Sequence, residues 1–284
     1  MIRPMTKQNE EKILSETLKK EANFFDHVYE AADRRQEKRN YLIPDYIVNQ
    51  FVHPHGQNLI PTEYMASLLG NLQGKKVLDY GAGDGWLTIC YAKAGARVWA
   101  IDISRRGIDL VRKKAVANGV DALVSAEVRD CYHTSYKDDM FDVVCGVGIL
   151  HHLDIKTAVM EICRILKPDG IAVFYEPIRD AKIMDFIKKV VLSILRKKPS
   201  DSTENESPIN MAKIESIMPC FGIVAYRYFN VLGSASRLIT NEALKSFLYL
   251  MDYFLIKCIP GFKKLGMGIV IELRNPIKTK QIEA

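Results

Sequence analysis

The spacing of apolar and polar positions changes character at Lys76. Before it, residues 6–39 are mostly polar, with Phe24, Phe25 and Val28 forming a narrow apolar stripe that predicts an N-terminal helical arm. Residues 40–61 are rich in Pro, His and aromatic side chains and read as irregular, and Pro61 then opens a helix to about Leu72. From Lys76 onward, short apolar runs predict strands at Val77–Tyr80, Val98–Asp102, Ala126–Val128, Phe141–Gly146 and Ile171–Glu176. Helices fill the gaps, from about Asp84 to Ala94, after the capping residue Ser104, and from Lys156 to Leu166. Gly95 and Gly119 end the first two, and Lys167-Pro168-Asp169-Gly170 is a turn sequence. The rhythm then shifts: Ile178–Lys198 reads as a basic amphipathic helix, 199–208 as a polar loop and 210–218 as a short helix. Ile223–Tyr228 reads as a strand, 240–258 as a strongly apolar helix and Met267–Leu273 as a final strand.

Strands that are apolar throughout and alternate with helices predict a parallel sheet covered on both faces, a doubly wound α/β fold. A chain of 284 residues can bury one such core, so the simplest division is a helical arm or lid at 1–60 followed by one domain at 61–284. Helical cap insertions fall at about 178–220 and 236–262. No apolar run reaches the ~18 residues a membrane span needs, and the charged first 20 residues lack the apolar centre of a signal peptide. The net charge of +6 is concentrated: residues 179–198 hold seven Lys or Arg against Asp180 and Asp185. Six cysteines without a C-x-x-C spacing read as reduced, mostly buried thiols, which places the expected location in the cytoplasm.

The chemistry concentrates at Val77-Leu78-Asp79-Tyr80-Gly81-Ala82-Gly83-Asp84-Gly85-Trp86 and at Ile101-Asp102. A glycine turn after the first strand lets a ligand approach the backbone and a helix start closely. An acid closing the second strand, about 20 residues on, is placed to accept hydrogen bonds from ribose hydroxyls. The dinucleotide fingerprint G-x-G-x-x-G needs a third glycine where this chain has the bulky Trp86, so NAD fits poorly.

From Val77 to Pro177 the chain resembles the class I S-adenosylmethionine-dependent methyltransferases, in its small-molecule branch. The likeness is carried by the glycine turn, by Ile101-Asp102, by Arg129-Asp130-Cys131, by the segment from Phe141 to Leu153 and by Leu166-Lys167-Pro168-Asp169-Gly170. It implies a Rossmann-like sheet of seven strands, mostly parallel, with the last strand antiparallel. It also implies S-adenosyl-L-methionine as cofactor. Gly81, Gly83 and Gly85 would lie along the methionine part, with Asp79 holding that loop and Gly146 and Val147 bordering the methionine chain. Asp102, with Ile103 beside it, would take the ribose, while Asp130 and the Cys131 backbone would meet the adenine.

Methyl transfer needs an acceptor aligned with the S–CH3 bond, and a base helps when the acceptor carries a proton. His151 and His152, after strand four, are the first candidates for that base or for orienting the acceptor; the other reading is that they only shape the pocket. Tyr175 and Glu176, at the end of strand five, come next. His53-Pro54-His55 invites a metal reading with His151 and His152, but no Asp, Glu or Cys stands at a ligand spacing, so no metal is expected. Enzymes that methylate base amino groups carry Asn/Asp-Pro-Pro-Tyr after strand four; Gly146-Val147-Gly148-Ile149 stands there instead, which argues against nucleic acid. The helices at 178–198 and 240–258 can roof an apolar pocket, pair with a second subunit or rest on lipid. The sequence is thus best read as methylating a small, largely apolar acceptor, at oxygen in preference to nitrogen or carbon. The alternatives are an NAD(P)-dependent oxidoreductase and a non-catalytic S-adenosylmethionine-binding partner of another enzyme.

Overall fold

The computed structural model describes residues 7–37, 40–53, 58–178, 208–233, 239, 241–259 and 261–278. The expected basic helix and polar loop at 179–207 lie outside these residues, as does His55. Three helices come first: α1 (Lys7–Glu37), α2 (Asp45–Val52) and α3 (Pro61–Leu69). The alternating part follows as β1 (Lys76–Tyr80), α4 (Trp86–Lys93), β2 (Arg97–Asp102), α5 (Arg105–Ala117), β3 (Val124–Val128) and β4 (Phe141–Val147). Then come α6 (Ile155–Ile165), β5 (Leu166–Pro177), α7 (Met211–Ile217), β6 (Phe221–Phe229), α8 (Glu242–Cys258) and β7 (Gly268–Pro276).

The seven strands form one sheet in the order β3-β2-β1-β4-β5-β7-β6. The pairs from β3 through β5 are parallel, and β7 runs antiparallel to both β5 and β6. The order reverses between β1 and β4, so the carboxyl ends of β1, β2 and β4 splay apart there and leave a crevice. Successive residues of β1 serve opposite faces. Leu78 and Tyr80 join a core with Phe141, Val144, Phe174 and Ile162 under α6, whereas Val77 joins Val143, Cys145, Val173 and Ile89 under α2–α4. Side chains cap the helices in series: Ser104 accepts from Gly107 N at 3.0 Å, Asp154 from Thr157 N at 3.0 Å and Asn241 from Leu244 N at 3.0 Å.

Several expected boundaries move. The stretch expected to be irregular holds α2, whose Val48 and Phe51 are buried. The helix opened by Pro61 stops at Leu69, three residues short. The first helix of the alternating part begins at Trp86 because Gly85, at φ +81°, stands outside the helix as its cap. Strand five starts at Leu166, paired with Phe141; the register then steps to Ile171 opposite Val143, so the expected turn at Lys167–Gly170 sits inside the strand as an irregularity. In the N-terminal arm, Val28 is 41% exposed and does not form part of a buried stripe.

Helix α1 docks along α5. Asp26 accepts from the Ser104 hydroxyl and from Arg106 N at 3.0 Å, which puts a carboxylate at the start of α5, where backbone N–H groups lack helical partners. Further along, Asp33 pairs with Lys113 at 2.6 Å and accepts from the Tyr41 hydroxyl at 2.8 Å. The Asp33–Lys113 pair is partly exposed and is worth little alone; the Asp26 contact acts as a cap and carries more. Asp26→Ala is expected to lose about 1 kcal/mol and lower the melting temperature by roughly 2–4 °C. Hydrogen exchange read by mass spectrometry should show the loss of protection confined to α1; protection unchanged there would remove this contact as the anchor.

Candidate active site

A cavity of about 240 Å³ occupies the crevice at the carboxyl ends of β1, β2 and β4. Asp79, Gly81 and Gly83 come from the β1 turn, Asp102 and Ile103 from the end of β2, Asp130 and Cys131 from beyond β3, and Val147 from the end of β4. Two expected residues do not line it. Gly85 packs away from the cavity, where a Cβ would lie 2.9 Å from the Val111 Cα; it is the close approach of α5 that requires a glycine. Gly146 stands behind the wall, where a Cβ would lie 2.5 Å from the Tyr80 carbonyl oxygen. Gly83, at φ +56°, does face the space, and a Cβ there would stand 2.9 Å from the Tyr29 hydroxyl.

Of the acids that line the cavity, Asp79 and Asp102 are the buried pair at the ends of β1 and β2. Asp79 is 1% exposed and accepts from the Thr88 hydroxyl at 2.5 Å. Burial raises its pKa to about 7, against the opposing Thr88 bond and with help from the nearby Asp102 and Asp84. Asp102 accepts from Gly83 N and from Ser104 N, both at 2.8 Å. Burial raises its pKa to about 6, although those backbone N–H groups favour the charged form. Ile103 N also favours the charged carboxylate, so three backbone groups occupy it and leave room for a neighbouring hydroxyl among its roughly four acceptor sites. Asp84 is held by the fully buried Lys114 at 2.8 Å. Asp130 accepts from Tyr132 N at 2.7 Å, and the Cys131 carbonyl accepts from the buried Tyr80 hydroxyl.

The remaining wall comes from the segment read as a helical arm or lid, through side chains that the sequence does not single out for it. Leu18, Glu21, Phe25 and Tyr29 of α1 line the cavity, and Glu21 is only 6% exposed. Their positions recur at three- and four-residue steps, a helical face visible in the sequence but obscured by its mixed polarity. Burial raises the Tyr29 pKa well above the usual phenol value, and the carboxylates of Asp102, Asp84 and Asp79 add to it. Among the described residues, α1 therefore covers this space and α8 contributes no lining residue to it. Trp86 lines the cavity at the start of α4, its ring edge-on to Phe51 at 6.4 Å.

The four expected catalytic side chains separate into two groups. His152 lines the cavity together with Ile149 and Leu153, and Phe25 meets its ring edge-on at 5.2 Å. It also lines an adjoining open groove with Thr17, Tyr132, Asn210 and Lys213. Burial lowers the His152 pKa to about 4, and His151, with ring centroids 4.0 Å apart, pushes the same way. His151 sits behind it, its Nδ1 2.8 Å from Glu176 Oε2. Glu176 is fully buried and accepts from Ile149 N at 3.0 Å and Leu150 N at 2.8 Å, so its carboxylate is committed to the turn that carries the histidines. Tyr175 points elsewhere: its hydroxyl accepts from Asn230 Nδ2 at 2.7 Å, and its ring lies against Gly268. His53 ends α2 at an exposed position, and among the described residues no group of His, Cys, Asp or Glu is placed to hold a metal.

The cavity suits an adenosyl compound with a cationic tail. Bare backbone at Gly81 and Gly83 gives close approach, Asp102 offers a carboxylate to a ribose hydroxyl, and Asp79 is a buried acid short of positive charge. A methyltransferase domain family matches residues 78–174, about a third of the chain. The ubiquinone biosynthesis O-methyltransferase of Pasteurella multocida (strain Pm70) is 26% identical over 194 residues, covering 63% of this chain and 80% of that protein. The protein of the same name from Actinobacillus pleuropneumoniae serotype 7 (strain AP76) is 29% identical over 164 residues, covering 56% and 70%. Geranyl diphosphate C-methyltransferase from Streptomyces coelicolor A3(2), solved with Mg2+, geranyl diphosphate and S-adenosyl-L-homocysteine, superimposes with a TM-score of 0.52 at 13% identity. That superposition covers 75% of this chain and 78% of that one, and it shows the shared fold. Among the described residues, no helix is long and apolar enough to cross a membrane. The site, the family match and the relatives agree: residues 78–174 form an S-adenosylmethionine-dependent methyltransferase domain, set on the class I fold.

Proposed function

We propose that this enzyme methylates a hydroxyl oxygen of a small, largely apolar acceptor, and that His152 receives the acceptor. The observation that carries the reading is the place of His152 in two walls at once, that of the cofactor cavity and that of the open groove. The cofactor, when bound, supplies a methyl group activated by a sulfonium. Asp102 and Ile103 hold the ribose, Asp130 and Cys131 the adenine, and Asp79, Gly81, Gly83 and Val147 the methionine end. α1 acts as a lid that excludes water, with Phe25 and Tyr29 over the turn. The two relatives named for O-methylation support oxygen as the acceptor atom.

The low pKa of His152 suits this task. A neutral imidazole accepts a hydrogen bond from an incoming hydroxyl at neutral pH. As the oxygen gains a methyl group, its proton becomes far more acidic than imidazolium, so even a weak base takes it. Phe25, Ile149 and Leu153 offer apolar contact beside the reacting oxygen. Glu176 is a positioning residue: it fixes the 149–151 turn and the His151 ring, and through them the His152 ring.

His152→Ala is expected to lower kcat about a hundredfold while S-adenosylhomocysteine affinity stays within about threefold. A labelled methyl donor with a panel of phenols, quinols and amines reads the rate; turnover at the wild-type level would place the proton acceptor elsewhere. Asp102→Ala is expected to weaken S-adenosylhomocysteine binding by about tenfold or more in calorimetry.

The acids set the pH dependence. Asp79 and Asp102 have folded pKa values raised above the ordinary carboxylate value, so the stability they contribute is complete below about pH 4. It is lost as pH rises through about 6 for Asp102 and about 7 for Asp79. A cationic ligand offsets that loss by pairing with the ionised acids. The thermal shift produced by S-adenosylmethionine should therefore grow between pH 5.5 and 8, with proton release on binding near pH 6.5; a shift flat across this range would show that these acids do not face the ligand's charge.

A further inference from the structure

A second cavity lies between the end of β6, the last turns of α8 and Leu59, and it shares no lining residue with the cofactor cavity. It encloses about 310 Å³. Its character is cationic. Arg227 enters from β6 with its guanidinium carbon 4.7 Å from the ring centroid of Phe229, 4.8 Å from that of Tyr64 and 5.0 Å from that of Tyr253. Lys257, from α8, stands over the Tyr253 ring at 5.5 Å and donates to its hydroxyl at 3.3 Å.

Three ring faces attract a cation through their quadrupoles but do not take up the in-plane N–H donors of a guanidinium. Among the described residues, no carboxylate or carbonyl accepts a hydrogen bond from Arg227, and burial holds its pKa below the usual guanidinium value. The one acid in the lining, Asp252, is turned to the backbone: its oxygens accept from Leu232 N at 2.6 Å and Gly233 N at 2.8 Å. The cavity thus holds a forked donor framed by aromatic rings, a second cation at its rim, and a carboxylate already committed to other groups.

The geometry points to this cavity as a second small-molecule site, which takes a carboxylate or phosphate oxyanion carried on a flat apolar group. The oxyanion meets the guanidinium edge through paired N–H···O bonds, as planar anions do with arginine, and Lys257 adds charge at the mouth. Leu59, Tyr253 and Ile256 receive the apolar body.

The test is calorimetry on the full chain, titrated separately with benzoate and with inorganic phosphate. Saturable binding of at least one is expected, weakened about tenfold or more by Arg227→Met and about threefold by Lys257→Met. S-adenosylhomocysteine affinity should stay within about twofold in both variants, which reports an intact fold and an intact first cavity. Tighter benzoate identifies an aryl carboxylate as the ligand chemistry, and tighter phosphate a phosphate group. Should Arg227→Met lose S-adenosylhomocysteine binding as well, Arg227→Lys decides, because it keeps the charge and loses the planar fork: weaker anion binding supports the site, and undiminished binding overturns it. No binding of either anion by the wild-type chain, or equal binding by an Arg227→Met variant that retains S-adenosylhomocysteine, overturns it too.

Discussion

The carboxylate of Asp102 is where the architecture of this enzyme converges. One oxygen accepts from Gly83 in the turn after β1, and the other accepts from Ser104 at the start of α5. Ser104 in turn caps α5 and donates to Asp26 of α1. Three segments distant in sequence, around residues 26, 83 and 102–104, are thereby registered on one buried acid. Because that acid closes β2 beside β1 in a parallel pair, its place is set by the sheet itself, which is far stiffer than any loop.

Buried carboxylates serve two ends in this molecule, and their hydrogen bonds tell them apart. Glu176 is taken up by a turn of backbone N–H groups and a histidine ring, so it stabilises structure. Among the described residues, Asp79 has only the hydroxyl and the backbone N–H of Thr88, no cation, and further acids nearby. A buried acid left so short of partners is costly unless something positive arrives. That imbalance is the physical signature of a ligand-facing group, and it separates Asp79 from Glu176 where residue type alone does not.

The sheet was legible from residue pattern because its strands are short and apolar throughout, and because turn residues punctuate them. The glycine turn and Asp102 were legible for the same reason, since their chemistry is tied to strand ends. What escaped was set by tertiary packing. Gly85 answers to the approach of Val111, and Gly146 to Tyr80 and Ile149, so two glycines that matched a ligand-binding pattern serve packing instead. The cover of the cavity falls in the segment read as an arm or lid, but its lining residues escaped because α1 turns a mixed face inward: Leu18 and Phe25 are apolar, but Glu21 and Tyr29 are not, and an apolar stripe alone does not find them. Trp86 was read only as an obstacle to a dinucleotide, and its place in the wall follows from α4 beginning at that residue.

If the acceptor meets His152 as proposed, the cover formed by α1 and the open groove beside His152 give the two reactants separate doors. On that reading an acceptor entering by the groove meets α1 only at Thr17, whereas spent cofactor leaves when the α1 side chains withdraw from the turn. The kinetic bottleneck on that reading sits with a helix that supplies no reacting atom, and changes to its grip on α5 would alter turnover number without touching the acceptor or the ring that takes its proton.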